Sequence, residues 1–337
     1  MKRYLLILII ISGIFTSCKN GDWEFPDYEY TAAYFAYQTP VRTIVIGEDV
    51  YDTTLDNEHK CQIMATMGGV YENKKDVEIG FRIDNALCNG LTFDGGAEVK
   101  AMPSNYYTLS STEKIVIKKG NILGGVVVQL TDAFFADPLA VKNTYVIPLV
   151  MTDVKNVDKI LTGTPLANTP NRVRAEDWDV LPKDYILYAI KYINKYHANY
   201  LRRGKDVITG DKNETVIRRK EYVEKDEVVG THTRSLNMVE LPLRITDATG
   251  ELLDCTLLLS FDDSGKCAVS SGSQGVTMSG SGQYVVKGEK GSWGNKDRDA
   301  IYLNYNINFG KMQVSTVDTL VIRDRGVKPE TFKPVLK

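Results

Sequence analysis

The sequence predicts an all-β protein in two parts. An N-terminal immunoglobulin-like β-sandwich is expected over residues 30–155, and an antiparallel barrel or closed sandwich over residues 184–337. Three observations carry this. Short runs rich in β-branched and aromatic residues recur, bounded by Gly, Asn, Asp or Pro. Helical periodicity is scarce. A polar, proline-bearing stretch over residues 156–183 separates the runs into two sets, and reads as a linker or as a long excursion within one domain.

In the first part the runs are Ala32–Tyr37, Thr43–Val50, Cys61–Met67, Val77–Asp84, Lys114–Lys118, Val126–Leu130 and Thr144–Met151. That number of strands over that length suits an immunoglobulin-like sandwich. One helical turn is expected at Ala97–Met102. The second part offers Tyr185–Tyr192, Val216–Val223, Thr231–Leu241, Leu252–Phe261, Lys266–Val269, Gly282–Val286, Ile301–Phe309 and Ser315–Arg323. Tyrosines at 185, 188, 192, 196 and 200 would also fit a helical stripe, but Asn194 and the residues after it favour a strand that turns. The clearest strand is Ile301–Phe309. Its odd positions are apolar, and its even positions are Tyr302, Asn304, Asn306 and Asn308.

The chain begins with an address. Lys2 and Arg3 precede an apolar run from Tyr4 to Ile11, too short for the roughly 20 residues of a spanning helix. Residues 1–17 read as a signal peptide. Ser17-Cys18 resembles a bacterial lipobox, which would make Cys18 the lipidated first residue and residues 18–29 a tether. Acidic residues behind it, Asp22, Glu24 and Asp27, resemble the surface-export signals of Bacteroidetes lipoproteins.

Composition narrows the function classes. With 43% hydrophobic and 25% charged residues, the 337-residue chain is globular, neither disordered nor polytopic. Lys plus Arg number 41 against 43 Asp plus Glu; removing Lys2 and Arg3 leaves 39 against 43, a net charge of −4. No basic excess exists to hold a phosphate backbone, so no nucleic acid partner is expected. Cys61, Cys88, Cys255 and Cys267 form no CxxC pair and no Cys/His cluster, and neither metal nor cofactor is expected. Around the turn Asp262–Gly265, Cys267 falls opposite Ser260, too far from Cys255 for a bridge; Cys61 and Cys88 either pair or remain buried thiols.

The stretches Met102–Ser111, Ile115–Gly120 and Tyr145–Leu149 resemble an N-terminal domain common in Bacteroidetes surface lipoproteins, also found before secreted family-18 endoglycosidases. Tyr192–Asn194, Tyr200–Gly204 and Asp318–Val327 resemble its companion domain of unknown function. The resemblance implies an immunoglobulin-like sandwich followed by a calycin-like (lipocalin-like) β-barrel. It also implies a lipid-anchored protein of the outer-membrane surface, encoded for polysaccharide utilisation. The partners it implies are a glycan, the membrane itself and an outer-membrane glycan transporter complex.

Catalytic chemistry is not legible. The acidic strand-end motif of family-18 enzymes is missing, as are G-x-S-x-G, Walker and GxGxxG patterns. Asp262-Asp263 fits a turn. Arg202-Arg203 and Arg218-Arg219-Lys220, followed by Glu221, Glu224, Asp226 and Glu227, read as a solvated mixed-charge face. No catalytic residue is assigned, and the chain is expected to be no enzyme. Sugar binding asks for less: an aromatic plate ringed by amides, carboxylates or guanidinium groups. The loop Gly291–Asp299 supplies these. Trp293 is the expected plate, or else a plug for one barrel end, with Asn295, Asp297 and Arg298 around it and Tyr302 and Asn304 on the strand that follows. The competing class is a structural or interaction subunit, and a cryptic hydrolase is the third.

Overall fold

A computed structural model describes residues 28–337. The expectations for the signal peptide, the lipidated Cys18 and most of the tether lie outside these residues. The described chain is all-β, as the strand pattern predicts: a sandwich followed by a barrel.

The first sheet of the sandwich runs β11 (Lys159–Ile160), β1 (Ala32–Tyr34), β3 (Lys60–Gly68), β9 (Leu123–Leu130) and β7 (Tyr107–Leu109). The second runs β25 (Glu330–Thr331), β2 (Pro40–Val45), β14 (Tyr185–Ile193), β10 (Tyr145–Lys155), β4 (Val77–Ile83) and β8 (Lys114–Ile117), with β6 (Lys100–Ala101) also on β10. Between the two sheets lie Phe35, Ile44, Ile63, Ile79, Ile115, Val128, Ile147, Ile190 and Tyr192. The helix Asp132–Ala136 seals one end with Phe134 and Phe135 against Tyr192.

Two boundaries differ from the sequence reading. Tyr185–Ile193 does not open the barrel; it pairs antiparallel with β10 and parallel with β2, inside the sandwich. Its sequence explains why. Ile186, Tyr188, Ile190 and Tyr192 face the inter-sheet core, while Tyr185, Leu187 and Ala189 face a second apolar layer with Leu91, Phe93 and Phe332. A strand buried on both faces reads as an unbroken apolar run. The last residues also return to the sandwich. Glu330–Thr331 pairs with β2, Phe332 packs 4.7 Å from Phe93, and β26 (Val335–Leu336) pairs with β5 (Leu91–Thr92).

The expected linker is partly built into the sandwich: β11 pairs with β1, while β12 (Thr164–Pro165) and β13 (Trp178–Val180) form a two-stranded sheet of their own. Ala97–Met102 is extended rather than helical, because Lys100 and Met102 donate their N–H groups to Thr144 and Val146 beside β10.

The barrel begins at β15 (Asn199–Gly210), with β16 (Glu214–Arg218) along its edge. Next come β17 (Glu227–Gly230), β18 (His232–Ser235), β19 (Met238–Thr246), β20 (Leu252–Phe261) and β21 (Lys266–Ser271). The last three strands are β22 (Thr277–Ser292), β23 (Lys296–Asn308) and β24 (Met312–Asp324). From β18 to β24 each strand pairs with the next, and β24 pairs with β15. Closure comes from one continuous stretch: β17 pairs with β15, β18 pairs with β19, and only Thr231 separates them. This is the up-and-down order that removes sheet edges. Beyond Glu240, β19 has no partner on that side among the described residues, which leaves a seam in the wall. The interior holds Tyr200, Leu241, Leu257, Leu259, Ile301, Leu303, Tyr305, Ile307 and Val314. Cys61, Cys88, Cys255 and Cys267 are buried and unpaired, and Cys267 faces Phe261, one residue from the register read in the sequence.

Sandwich and barrel meet at two buried polar side chains. Asn194 accepts the N–H groups of Tyr196 and His197 and donates to the carbonyls of Ser235 and Met238. Arg325, 4% exposed, donates to four carbonyls: His197 at 2.6 Å, Asn194 at 2.6 Å, Glu48 at 3.0 Å and Ile46 at 3.2 Å. Replacing Arg325 by Met removes all four bonds, and among the described residues only the Asn194 carbonyl keeps another donor, the His197 N–H at 3.2 Å. We expect a loss on the order of 3 kcal/mol, read as a lower urea midpoint; an unchanged midpoint would show that the clamp contributes nothing.

His197 gives the joint a pH dependence. Its Nδ1 accepts the Thr233 N–H at 3.1 Å, and burial, then His232, Arg325 and Lys191, lower its pKa from 6.5 to about 4. The folded value lies below the unfolded one. Its stabilisation is therefore whole above pH 6.5 and is lost as pH falls from 6.5 to 4. The expected loss is up to about 3 kcal/mol. Urea unfolding at pH 7.5 and pH 4.5 should show it, and His197→Gln should remove that share of the difference.

Candidate functional site

The loop singled out in the sequence joins β22 to β23 at the end of the barrel beside the sandwich. Trp293 is half-buried rather than a bare plate. Its Nε1–H donates to the Ile322 carbonyl at 3.0 Å, and the Arg298 guanidinium stacks 3.6 Å from its ring centroid. Arg298 also donates to the Trp293 carbonyl at 3.3 Å. The loop can turn so tightly because Gly291, Gly294 and Asn295 all take positive φ. Indole and guanidinium thus form one fixed platform, joined by a cation–π contact.

The other residues spread out from it. Asp297 is exposed and ties the loop, accepting from Gly291 N–H at 3.0 Å and pairing with Lys290 at 3.0 Å; these contacts, the backbone one first, lower its pKa. Asn295 is exposed at the loop tip. Tyr302 donates to Glu289 Oε1 at 2.8 Å, and burial followed by that bond lifts its pKa to about 12. Asn304 lies further along β23 on the outer face, level with Ser281 and Val317, so it is not gathered with the platform.

A crevice of about 190 Å³ opens beside the platform, where the barrel meets the sandwich. Asp297, Arg298, Asp299 and Lys287 line it from the barrel, and Glu48, Asp49 and Val50 from the sandwich. Asp299 is held in place: Oδ2 accepts the Tyr284 hydroxyl at 2.5 Å, and Oδ1 the Lys287 N–H at 2.8 Å. Carboxylates, guanidinium and ammonium groups thus converge beside a half-exposed indole. The sequence reading missed the contribution of Glu48–Val50, because it extended the second strand through Val50, whereas β2 ends at Val45. Gly47, at φ +96°, was the available signal.

A second polar cluster overturns the solvated-face reading of Arg202 and Arg218. Arg202 is 3% exposed, pointing into the barrel. It donates to Asp318 at 2.9 Å and to the Tyr305 hydroxyl at 3.2 Å, and Tyr305 in turn donates to Asp318 at 2.7 Å. Arg218 bridges Asp206 and Asp318, and Thr316 donates to Asp206 at 2.7 Å. Burial works against the charge on Arg202, but Tyr305, Asp318 and Glu227 outweigh it and hold the pKa above its ordinary value. Both buried carboxylates are bound to guanidinium groups, so neither is placed as a free acid or base. Arg203 is tied to buried Asp226 at 2.6 Å. Among the described residues, no group of three or more His, Cys, Asp and Glu could hold a metal ion.

In sequence, a family model for an N-terminal domain matches residues 28–158, and the domain of unknown function DUF5627 matches residues 195–326. No curated protein matches significantly. A solved structure of unknown function from Bacteroides ovatus is 46% identical, with a TM-score of 0.88, covering 93% of this chain and 100% of its own. A second B. ovatus structure of unknown function is 12% identical, covering 90% and 99% at a TM-score of 0.40. An auxiliary nutrient binding protein from Bacteroides thetaiotaomicron is 12% identical, covering 84% and 90% at a TM-score of 0.36. Of these three, the first bears on this chain's fold.

Asp318→Ala would remove the carboxylate that Arg202 and Arg218 share, leaving Arg218 with Asp206 and Arg202 with Glu227 at 3.4 Å. The expected cost is about 3–5 kcal/mol, measured by urea unfolding, with Asp318→Asn falling between the variant and the parent.

Proposed function

The chain belongs to the same family as the Bacteroides ovatus protein of unknown function, and from that premise we propose that it is a surface lipoprotein that binds glycan without catalysis, as an accessory to polysaccharide uptake. Anchoring would run through Cys18 to the outer membrane, with the sandwich holding the barrel clear of the lipid. The observation that carries the binding role is the Trp293–Arg298 platform at the rim of a crevice lined by Asp297, Asp299, Asp49 and Lys287. Sugars present apolar C–H faces to aromatic rings and hydroxyl groups to carboxylates and cations. A platform already fixed by hydrogen bonds loses little freedom on binding.

The reading as an interaction subunit, docking to a transporter or adhesin, draws on a different face. On the outside of the barrel, exposed Val317 and Ile217 flank Lys205 across adjacent strands, with Val207 two residues on. Such a patch suits a protein contact better than a sugar.

Affinity gels cast with a panel of polysaccharides separate the two. Residues 28–337 should be retarded by at least one, and Trp293→Ala should weaken that retardation about tenfold, the scale of one lost aromatic contact. Retardation that survives the substitution moves the site elsewhere. No retardation by any polysaccharide turns the search to protein partners.

A further inference from the structure

On the sandwich side of the same loop that walls the crevice lies a second cavity, of about 310 Å³. Tyr51, Asp52 and Thr53 line it from the loop, Arg42 and Val45 from β2, and Val327, Lys328 and Pro329 from the returning tail. Its two walls are continuations of the walls of the crevice. Loop residues 48–50 face the crevice and 51–53 the cavity, with Asp49 lining both. Residues 322–325 likewise line the crevice, and 327–329 the cavity.

The cavity sets polar groups against a mostly apolar lining. Tyr51 is 67% exposed, and neither its hydroxyl nor the Lys328 ammonium has a partner among the described residues. Arg42 is bound to buried Asp56 and to the Thr43 carbonyl, which leaves other guanidinium N–H groups for a ligand. Val50, at the crossing point, is 89% exposed. The loop is nonetheless fixed at both ends. Gly47 N–H donates to Asn57 at 2.8 Å, Asn57 and Thr53 donate back to the Gly47 carbonyl, and Asp52 accepts from Thr54. A fixed loop with bare side chains, between a mostly apolar cavity and a mixed crevice, is a surface built for contact.

We infer that the cavity and the crevice are two subsites of one groove across the joint, and that the ligand is an oligosaccharide chain long enough to occupy both, with Arg298, held by Trp293, beside one sugar and Tyr51 beside another. This inference rests on the glycan-binding reading. The crevice alone is smaller than ordinary small-ligand sites, whereas a groove including the cavity falls within their range.

The test uses residues 28–337 and a ladder of one to eight sugar units, cut from the polysaccharide that retards the protein. Titration calorimetry should show affinity rising beyond the two-unit member and then levelling. Tyr51→Ala should weaken the longest members about tenfold and leave the shortest unchanged. Trp293→Ala should weaken every member. Tyr51 is exposed, so unfolding midpoints should match the parent and exclude misfolding as a cause. If affinity levels at one or two units, or Tyr51→Ala is silent throughout, the second subsite is wrong while glycan binding stands. If no polysaccharide retards the protein, both readings fall together.

Discussion

The arrangement of the two domains depends on one buried cation. Arg325 lies at the end of the last barrel strand and gives its guanidinium to carbonyls from Ile46, Glu48, Asn194 and His197. The four bonds all go to carbonyl dipoles, and the nearby carboxylates of Asp49 and Asp299 favour the charge without bonding to it. Burial lowers its pKa, yet a guanidinium stays charged at any ordinary pH. The four acceptors come from a sandwich loop and from the turn into the barrel, so the geometry is satisfied in one relative placement. Asn194 acts beside it in the same way, with acceptor and donors committed to backbone groups. Loop 47–53, and with it both hollows of the proposed groove, is positioned by this clamp. Even Gly47 takes part, since a Cβ there would lie 2.9 Å from the Lys195 Cβ.

The barrel interior shows a different use of charge. Arg202, Arg218, Asp206 and Asp318 balance in sign and are joined through Tyr305 and Thr316. A network of this kind is weak evidence for net stability, because an apolar core of equal volume would avoid the desolvation cost. It does fix register. Asp318 and Gly204 are paired residues on neighbouring strands, and Arg218 pairs with Gly204 from the other side. A Cβ at Gly204 would lie 2.3 Å from the Asp318 carboxylate, so the glycine makes room for the side chains that cross above it.

Period-two alternation was legible wherever one face meets water. Ile301, Leu303, Tyr305 and Ile307 are buried, and Asn304, Asn306 and Asn308 are exposed, as the pattern requires. It failed where both faces are covered. Tyr185–Ile193 reads as a strand but carries no mark of which domain owns it, and a continuous apolar run is as good for either. The two-residue strands at the tail were invisible for the opposite reason, since they are too short to show a period. At the site, local sequence identified the Trp293 loop but not its neighbours: Glu48 and Asp49 reach it across the joint, from more than 200 positions away. Arg202 defeated the charge-pattern argument because its partner, Asp318, lies 116 positions away in the chain. Pairing that closes a barrel cannot be read from a run of charges.

The returning tail makes the sandwich a discontinuous domain. Its sheet takes one edge strand from residues 330–331, so it stays unfinished until those residues have been made. The barrel is complete at residue 324, and all its pairings lie between residues 199 and 324. During synthesis the later domain can therefore close before the earlier one is finished. Until then, the edge of β2 waits unpaired in the nascent chain, open to any passing strand.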